Sequence, residues 1–221
     1  MVAPSDTHGH DHHHDHDHDH TPITHDGEPG YYELMETALR ELLIERGLFT
    51  AEEIRRQIEV LDSRTPLLGA KIVARAWVDP AFRAKLLEDG RKTCEEIGIS
   101  FYDDTDLIVL ENSETVHNLI VCTLCSCYPR PVLGLPPDWY KSRNYRARAV
   151  IEPRAVLKEF GTIVSDDVEV RVHDSTAVVR YLVLPKRPAG TEDFSEDQLA
   201  ALVTRDTMIG VIHPVVQQEA A

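Results

Sequence analysis

The stretch Leu119-Ile120-Val121-Cys122-Thr123-Leu124-Cys125-Ser126-Cys127 decides how the rest of this chain is read. Its apolar, partly β-branched opening predicts a short buried strand. Three of the four cysteines follow within six residues, and the fourth, Cys94, is remote. Thiols this close on one loop can converge on a single metal ion. The pair Cys125-Ser126-Cys127 is too short for ordinary four-thiolate zinc spacing. In such a loop the backbone nitrogens of Ser126 and Cys127 lie between the two sulfurs. If both amides lose their protons, S–N–N–S closes around a metal, and Cys122 caps it from an axial direction. A sixth position then stays open for water or substrate, the mark of a catalytic rather than a structural metal. Deprotonated amides favour a trivalent, strongly Lewis-acidic ion such as Co(III) or low-spin Fe(III). Two other readings fit the spacing. A Cys3His zinc site would add a histidine such as His117 or one from the N-terminus. A thioredoxin-like redox pair would use Cys122 and Cys125. That pair normally sits at a helix start, and here Pro129 and Pro131 follow too soon for a long helix.

On the N-terminal side the texture is helical from Tyr31 to about Gly98. Met35, Leu39 and Leu42 recur at helical spacing until Gly47 stops the run. Thr50-Ala51-Glu52-Glu53 has capping-box spacing and opens a helix carrying Ile54, Ile58 and Leu61. Pro66 and Pro80 stand where helices begin, so Leu67–Val78 and Pro80–Ile97 read as two more. Cys94 on the last of these reads as a small buried hydrophobe. Leu107-Ile108-Val109-Leu110 matches Leu119-Ile120-Val121 as a second buried strand. Beyond the cysteines, Pro136-Pro137 starts a short helix through Lys141, and Glu152-Pro153 starts another that reaches Phe160. Val168–Val172 alternates, and Ala177–Leu184 is apolar and β-branched. These two read as strands paired across an Asp174-Ser175 turn. Ser195-Glu196-Asp197 begins a last helix through Leu199 and Leu202. The fold class expected is α+β: a helical arm over residues 30–98, then a mixed α/β body over 99–221 that carries the loop 122–127. An amphipathic helical arm points to a partner subunit, and equally to packing on its own body.

Residues 1–29 read as a disordered His/Asp-rich arm, because they hold almost no apolar residues. Nine of the twelve histidines lie between His8 and His25, a composition suited to transient binding of borderline metals. Residues 1–30 carry seven acids and no Lys or Arg, so of the net charge of −15 only −8 belongs to the remainder. An acidic chain of this kind argues against nucleic acid and anionic membranes as partners. No apolar run is long enough to span a bilayer, and the first 30 residues lack the apolar region of a secretory signal. A cytoplasmic, reducing compartment is the expectation, and there a cysteine cluster serves metal or catalysis rather than disulfides.

The loop Val121–Cys127 resembles the metal claw of the nitrile hydratase α-subunit family, which includes the thiocyanate hydrolase γ-subunit. The resemblance runs on through Tyr128-Pro129-Arg130-Pro131-Val132-Leu133-Gly134-Leu135-Pro136-Pro137-Asp138-Trp139-Tyr140-Lys141-Ser142 and Tyr145-Arg146-Ala147-Arg148. It continues in Glu152-Pro153-Arg154-Ala155-Val156-Leu157, Arg180-Tyr181-Leu182-Val183-Leu184-Pro185 and Arg187-Pro188-Ala189-Gly190-Thr191-Glu192, and it covers nearly all of residues 31–215.

This resemblance implies metal ligation by the sulfurs of Cys122, Cys125 and Cys127 and by the backbone nitrogens of Ser126 and Cys127. It implies Cys125 as a sulfinic and Cys127 as a sulfenic acid, with arginines of a β-type partner subunit holding the new oxygens. Thr123 resembles the cobalt subclass, where iron members carry Ser, so the expected cofactor is non-corrin Co(III) rather than Fe(III). The activity implied is hydration of a small nitrile to its amide. Cys127, Cys125 and Ser126 would be the catalytic residues, and Tyr128 and Arg130 would line the pocket. A metallochaperone or activator protein would be a further partner. The alternative is a thiocyanate hydrolase γ-type subunit, releasing carbonyl sulfide and ammonia. Arg130 stands where nitrile hydratases usually have Trp, and Val178 where they tend to have Glu; an Arg there suits a small anion. Trp139 and Tyr140 are expected in core or interface. Arg143, Arg146, Arg148 and Arg154 are expected mostly on carboxylates of this chain or its partner. Asp174 reads equally as a turn residue and as a support of the metal site, and His117 as a structural residue.

Overall fold

The computed structural model describes residues 30–101 and 104–216. The expectations placed on residues 1–29, the His/Asp-rich arm and its metal trap, lie outside the described residues. The chain divides into two compact units at Ala51/Glu52.

In the first unit, helix α1 (Tyr31–Glu45) starts where the Gly30 N–H donates to the Glu33 carboxylate at 2.7 Å. It ends before Gly47, whose φ of +68° suits only glycine. None of its residues is buried, and Tyr32, Met35, Leu39 and Leu42 are exposed.

The second unit opens with α2 (Ala51–Asp62), which also buries nothing, and α3 (Pro66–Val78), which buries Ala70, Ile72, Val73, Ala74 and Ala76. Small residues let α3 sit deep: a Cβ on Gly69 would meet the Met208 sulfur at 2.6 Å and Leu133 at 2.9 Å. The stretch expected as one helix over Pro80–Ile97 is two, α4 (Pro80–Glu88) and α5 (Gly90–Glu96). Asp89 makes the break. Its side chain accepts from the Lys92 N–H at 2.9 Å and so caps a new helix. Cys94 is fully buried on α5, and burial pushes its thiol up to about 12.

Four strands follow the helical segment: β1 (Asp106–Glu111), β2 (Val116–Val121), β3 (Glu169–Asp174) and β4 (Val179–Leu184). The hairpin expected between β3 and β4 does not form. β1 pairs with β4 and β2 with β3, both in parallel. The patterns differ as those pairings require. β4 is buried over Leu182, Val183 and Leu184, the continuous run of a strand covered on both faces, whereas β3 alternates. The turn after Asp174 hands the chain from one sheet to the other: the Ser175 N–H donates to Val121 O at 2.7 Å, on β2.

Between β2 and β3 run α6 (Arg130–Leu133), α7 (Asp138–Lys141), α8 (Arg143–Ile151) and α9 (Pro153–Glu159). After β4 come α10 (Glu196–Ala201) and α11 (Arg205–Ile209), so the helix expected to be last is followed by another. An edge-on aromatic cluster, Trp139 with Tyr145 at 4.9 Å and Phe160 at 4.7 Å, ties α7 to α8 and α9. No described helix is long and apolar enough to cross a membrane.

Candidate metal centre

Parallel pairing in register Val121↔Asp174 brings the carboxyl ends of β2 and β3 side by side. The cysteine loop leaves from the first of these ends, the usual place for a site beside parallel strands. Residues 122–129 are not helical, so the redox reading loses the helix start it needs. The sulfurs of Cys122, Cys125 and Cys127 all lie within 4.8 Å of one another. Cys122 and Cys125 are 3.6 Å apart and Cys125 and Cys127 3.3 Å. Among the described residues no histidine joins them. His117 is buried, with Nε2 2.7 Å from the Gly210 carbonyl, and burial lowers its pKa. That bond occupies it structurally, so His117 is not the fourth ligand of a Cys3His arrangement; the N-terminal histidines lie outside the described residues.

Side chains from α7, α8 and β3 hold the loop. Asp174 accepts from the Thr123 N–H at 2.9 Å and from the Thr123 hydroxyl at 2.5 Å. Tyr140 is fully buried and donates to Cys127 O at 2.9 Å. Tyr145 donates to Ile120 O at 2.6 Å. Burial raises both phenols, so both stay protonated as donors. Arg146 donates to Cys125 O at 3.1 Å and to Thr123 O at 3.4 Å. In a trans peptide N–H points opposite to C=O. By holding Cys125 O, Arg146 therefore turns the Ser126 N–H the other way.

The thiols do not share protons equally. The Cys127 thiol, the Cys122 thiol and the Ser126 amide donate to Cys125 and lower it to about 7. Cys127 is pushed up to about 12, first by burial and then by its bond to Cys125, against the nearby charge of Arg180. Cys125 thus becomes a thiolate, the form that ligates metals, before Cys127 does. Three soft sulfurs gathered at one place fit a single thiophilic ion. Borderline or soft transition metals suit this donor set, and the hard, oxygen-seeking ions do not.

Cys125, Ser126 and Cys127 form one wall of a cavity of about 310 Å3. Tyr128 and Arg130 line it too. Tyr128 packs edge-on against Tyr140 at 5.2 Å. Its hydroxyl is buried, without a hydrogen-bond partner among the described residues. Two arginines that the sequence did not single out for this place complete the rim: Arg64, two residues beyond α2, and Arg180, on β4. Only long-range pairing brings them here; no local spacing marks them. The arginine cluster divides by role. Arg148 meets carboxylates, Glu159 at 2.6 Å and Glu152 at 2.5 Å. Arg154 and Arg146 instead hold backbone carbonyls, Arg154 those of Val164, Ser165 and Val168. Val178 is exposed on the turn before β4.

Asp174 supports the loop without joining the sulfur cluster. Asp174→Ala frees Thr123 at both bonds and is expected to weaken metal retention about 10- to 100-fold. Chelator competition followed by metal analysis measures this; retention equal to the wild type would show that Asp174 does not position the loop.

Known proteins place this geometry. The profile of the family described as nitrile hydratase, alpha chain, matches residues 30–212. The low-molecular weight cobalt-containing nitrile hydratase subunit alpha of Rhodococcus rhodochrous is 54% identical over 184 residues, 83% of this chain and 89% of that protein. The thiocyanate hydrolase subunit gamma of Thiobacillus thioparus is 46% identical over 194 residues, 83% of this chain and 80% of that protein. Among solved structures, a double mutant of the Fe-type nitrile hydratase from Comamonas testosteroni Ni1 superposes with a TM-score of 0.79 at 42% identity, covering 88% of this chain and 98% of that one. With the profile spanning nearly all the described residues and the three sulfurs gathered on one loop, this chain belongs to the nitrile hydratase α-chain family.

Proposed function

We propose that this chain is the α-type, metal-holding subunit of a cobalt nitrile hydratase that hydrates small nitriles to amides. The observation that carries this reading is the convergence of the Cys122, Cys125 and Cys127 sulfurs, with Cys125 and Cys127 on the wall of a small cavity. The cobalt-containing relative at 54% identity supports the choice of metal, non-corrin Co(III). Bound there, that ion supplies a Lewis acid that polarises a C≡N bond and activates water for its hydration.

The chain's own residues hold and shape this centre. Cys122, Cys125 and Cys127 bind through sulfur, and Ser126 and Cys127 also through backbone nitrogen. Arg146 and Tyr140 keep loop carbonyls turned outward, and Asp174 fixes Thr123. Cys125 is a sulfinic and Cys127 a sulfenic acid in the active form, both on the cysteine oxidation ladder. Cys127, as sulfenate, presents an oxygen to the nitrile carbon. Tyr128 and Arg130 border the space the substrate enters. The net change is R–C≡N plus water to R–CO–NH2.

A β-type subunit completes the site, giving a cytoplasmic hetero-oligomer. Leu124, in the middle of the claw, is 85% exposed and so available to a covering partner. A partner covering it would bring the arginines that hold the oxidised sulfurs. The helical arm assigned to residues 30–98 joins that partner through α1 and α2, whose apolar residues are unburied. A metallochaperone or activator loads the metal.

A second reading, the γ-type subunit of a thiocyanate hydrolase, draws on one observation. Arg64, Arg130 and Arg180 all line the cavity, a setting that attracts a small anion. Co-production with β-type subunits and cobalt, then assay on acetonitrile and thiocyanate, separates the two. Acetamide is the expected product. Carbonyl sulfide and ammonia from thiocyanate, with no amide from nitriles, would reject the leading reading.

A further inference from the structure

Arg146 spends its charge on neutral acceptors. It stands on α8, and the residue before it fixes that helix: Ser142 caps the Tyr145 N–H at 3.1 Å, and Tyr145 is tied to Ile120 O on the strand that launches the cysteine loop. From this base one guanidinium nitrogen, Nη1, donates to Cys125 O at 3.1 Å and to Thr123 O at 3.4 Å. The Arg146 Nε is buried and has no hydrogen-bond partner among the described residues. Arg148, two residues on, meets the carboxylates of Glu152 and Glu159 instead. A half-buried guanidinium facing only carbonyls is left with uncompensated charge, which an added negative charge beside it would offset.

The carbonyl that Arg146 holds at the shorter distance belongs to a particular peptide. Cys125 C=O and Ser126 N are the two ends of one amide, coupled by resonance. When the Ser126 nitrogen binds an ion, its proton leaves to water, and the negative charge is shared between Ser126 N and Cys125 O. A guanidinium already on that oxygen then makes a charge-assisted bond, roughly twice as strong as a neutral one. Tyr140 gives the contrast. It donates to Cys127 O, whose amide ends at Tyr128 N, outside the proposed ligand set.

We infer that Arg146 is a positioning residue for the metal centre: it orients the Cys125–Ser126 peptide and takes up the charge that spreads to Cys125 O when Ser126 ligates through nitrogen. This rests on the proposed ligand set. Charge and shape can be separated here, because Nη1 alone serves both carbonyls. A lysine ammonium offers three donors at one nitrogen and keeps the charge, whereas a glutamine amide keeps a donor and loses the charge.

The test compares the cobalt-loaded enzyme, assembled with its β-type subunit, as wild type, Arg146→Lys and Arg146→Gln. Three quantities are read: cobalt retained per chain against a chelator, the share of bound cobalt visible by electron paramagnetic resonance, and thermal unfolding. Amide nitrogens are strong-field donors and hold cobalt as low-spin, resonance-silent Co(III). A centre reduced to thiolates holds high-spin, visible Co(II). Arg146→Gln is expected to weaken retention about 10- to 100-fold and to make most of the remaining cobalt visible. Arg146→Lys is expected to retain cobalt within about threefold of the wild type, in the silent form. Equal losses in the two variants, or no change in Arg146→Gln, would overturn the role. Should Arg146→Gln fail to assemble, Arg146→Lys decides: folded with visible or released cobalt it overturns the role, and with silent, retained cobalt it upholds it. A wild type whose own cobalt is high-spin and visible removes the amide ligands and this role with them. A silent wild type with both variants alike removes the role alone.

Discussion

Cys127→Ala is expected to lower nitrile hydration by at least about a thousandfold, the scale of several kcal/mol of lost transition-state stabilisation. Cobalt bound per chain should fall with it. Cys127 supplies both a sulfur and a backbone nitrogen to the proposed ligand set, and its sulfur lies 3.3 Å from that of Cys125. The substitution keeps the amide and removes the sulfur, so residual weak binding by Cys122 and Cys125 is expected and turnover is not. Cys94→Ala provides the contrast. Cys94 is buried on α5 away from the sulfur cluster, and the variant should keep cobalt and activity within about twofold, at a modest cost in stability. Metal analysis of the assembled enzyme beside steady-state rates reads both. Full activity in Cys127→Ala would refute the claw.

Gly210→Ala is expected to destabilise the body by at least about 3 kcal/mol, from a left-handed backbone penalty plus a steric clash. Gly210 closes α11 at φ +92°. A Cβ there would lie 2.1 Å from Asn118 O and 3.2 Å from Val183. Backbone cannot rotate away as a side chain can, so β2 must move. The Gly210 carbonyl also accepts from His117, a bond made at the same approach of α11 to β2. Asn118 lies four residues before Cys122, so the displaced strand is the one that launches the claw. Gly47→Ala tests conformation alone: φ is +68° and nothing lies within 4 Å, so about 1 to 2 kcal/mol is expected. Denaturant midpoints compare the two. Equal losses would mean that the packing of α11 on β2 is soft.

The sulfur cluster was legible because its chemistry is local. Six consecutive residues hold all three sulfurs, and a loop of that length has few ways to keep them apart. The strands before and after it were legible as strands from their apolar runs. Their pairing was not. Asp174-Ser175 has the composition of a turn, and a turn between two strands reads as a hairpin, but turn residues specify a change of direction and not a partner. The continuous apolar run of β4 held the contrary signal. Helix α8 escaped the sequence because Arg143-Asn144-Tyr145-Arg146-Ala147-Arg148 has little apolar periodicity. It is fastened instead by the Ser142 cap on the Tyr145 N–H and by contacts of Tyr145 and Arg146 with the claw strand and loop. Arg64 and Arg180 stand 116 positions apart in sequence and meet only on the cavity wall. Asp174 divided evenly between turn and site in the sequence and does both in the structure, ending β3 and holding Thr123.

The proposed function has this loop hold cobalt through oxidised cysteines. Cobalt analysis of the purified hetero-oligomer, joined to accurate mass of the peptide containing Cys122–Cys127, addresses it most directly. One cobalt per chain and three added oxygens, two on Cys125 and one on Cys127, are expected. Stoichiometric zinc on a peptide with no added oxygen would contradict it.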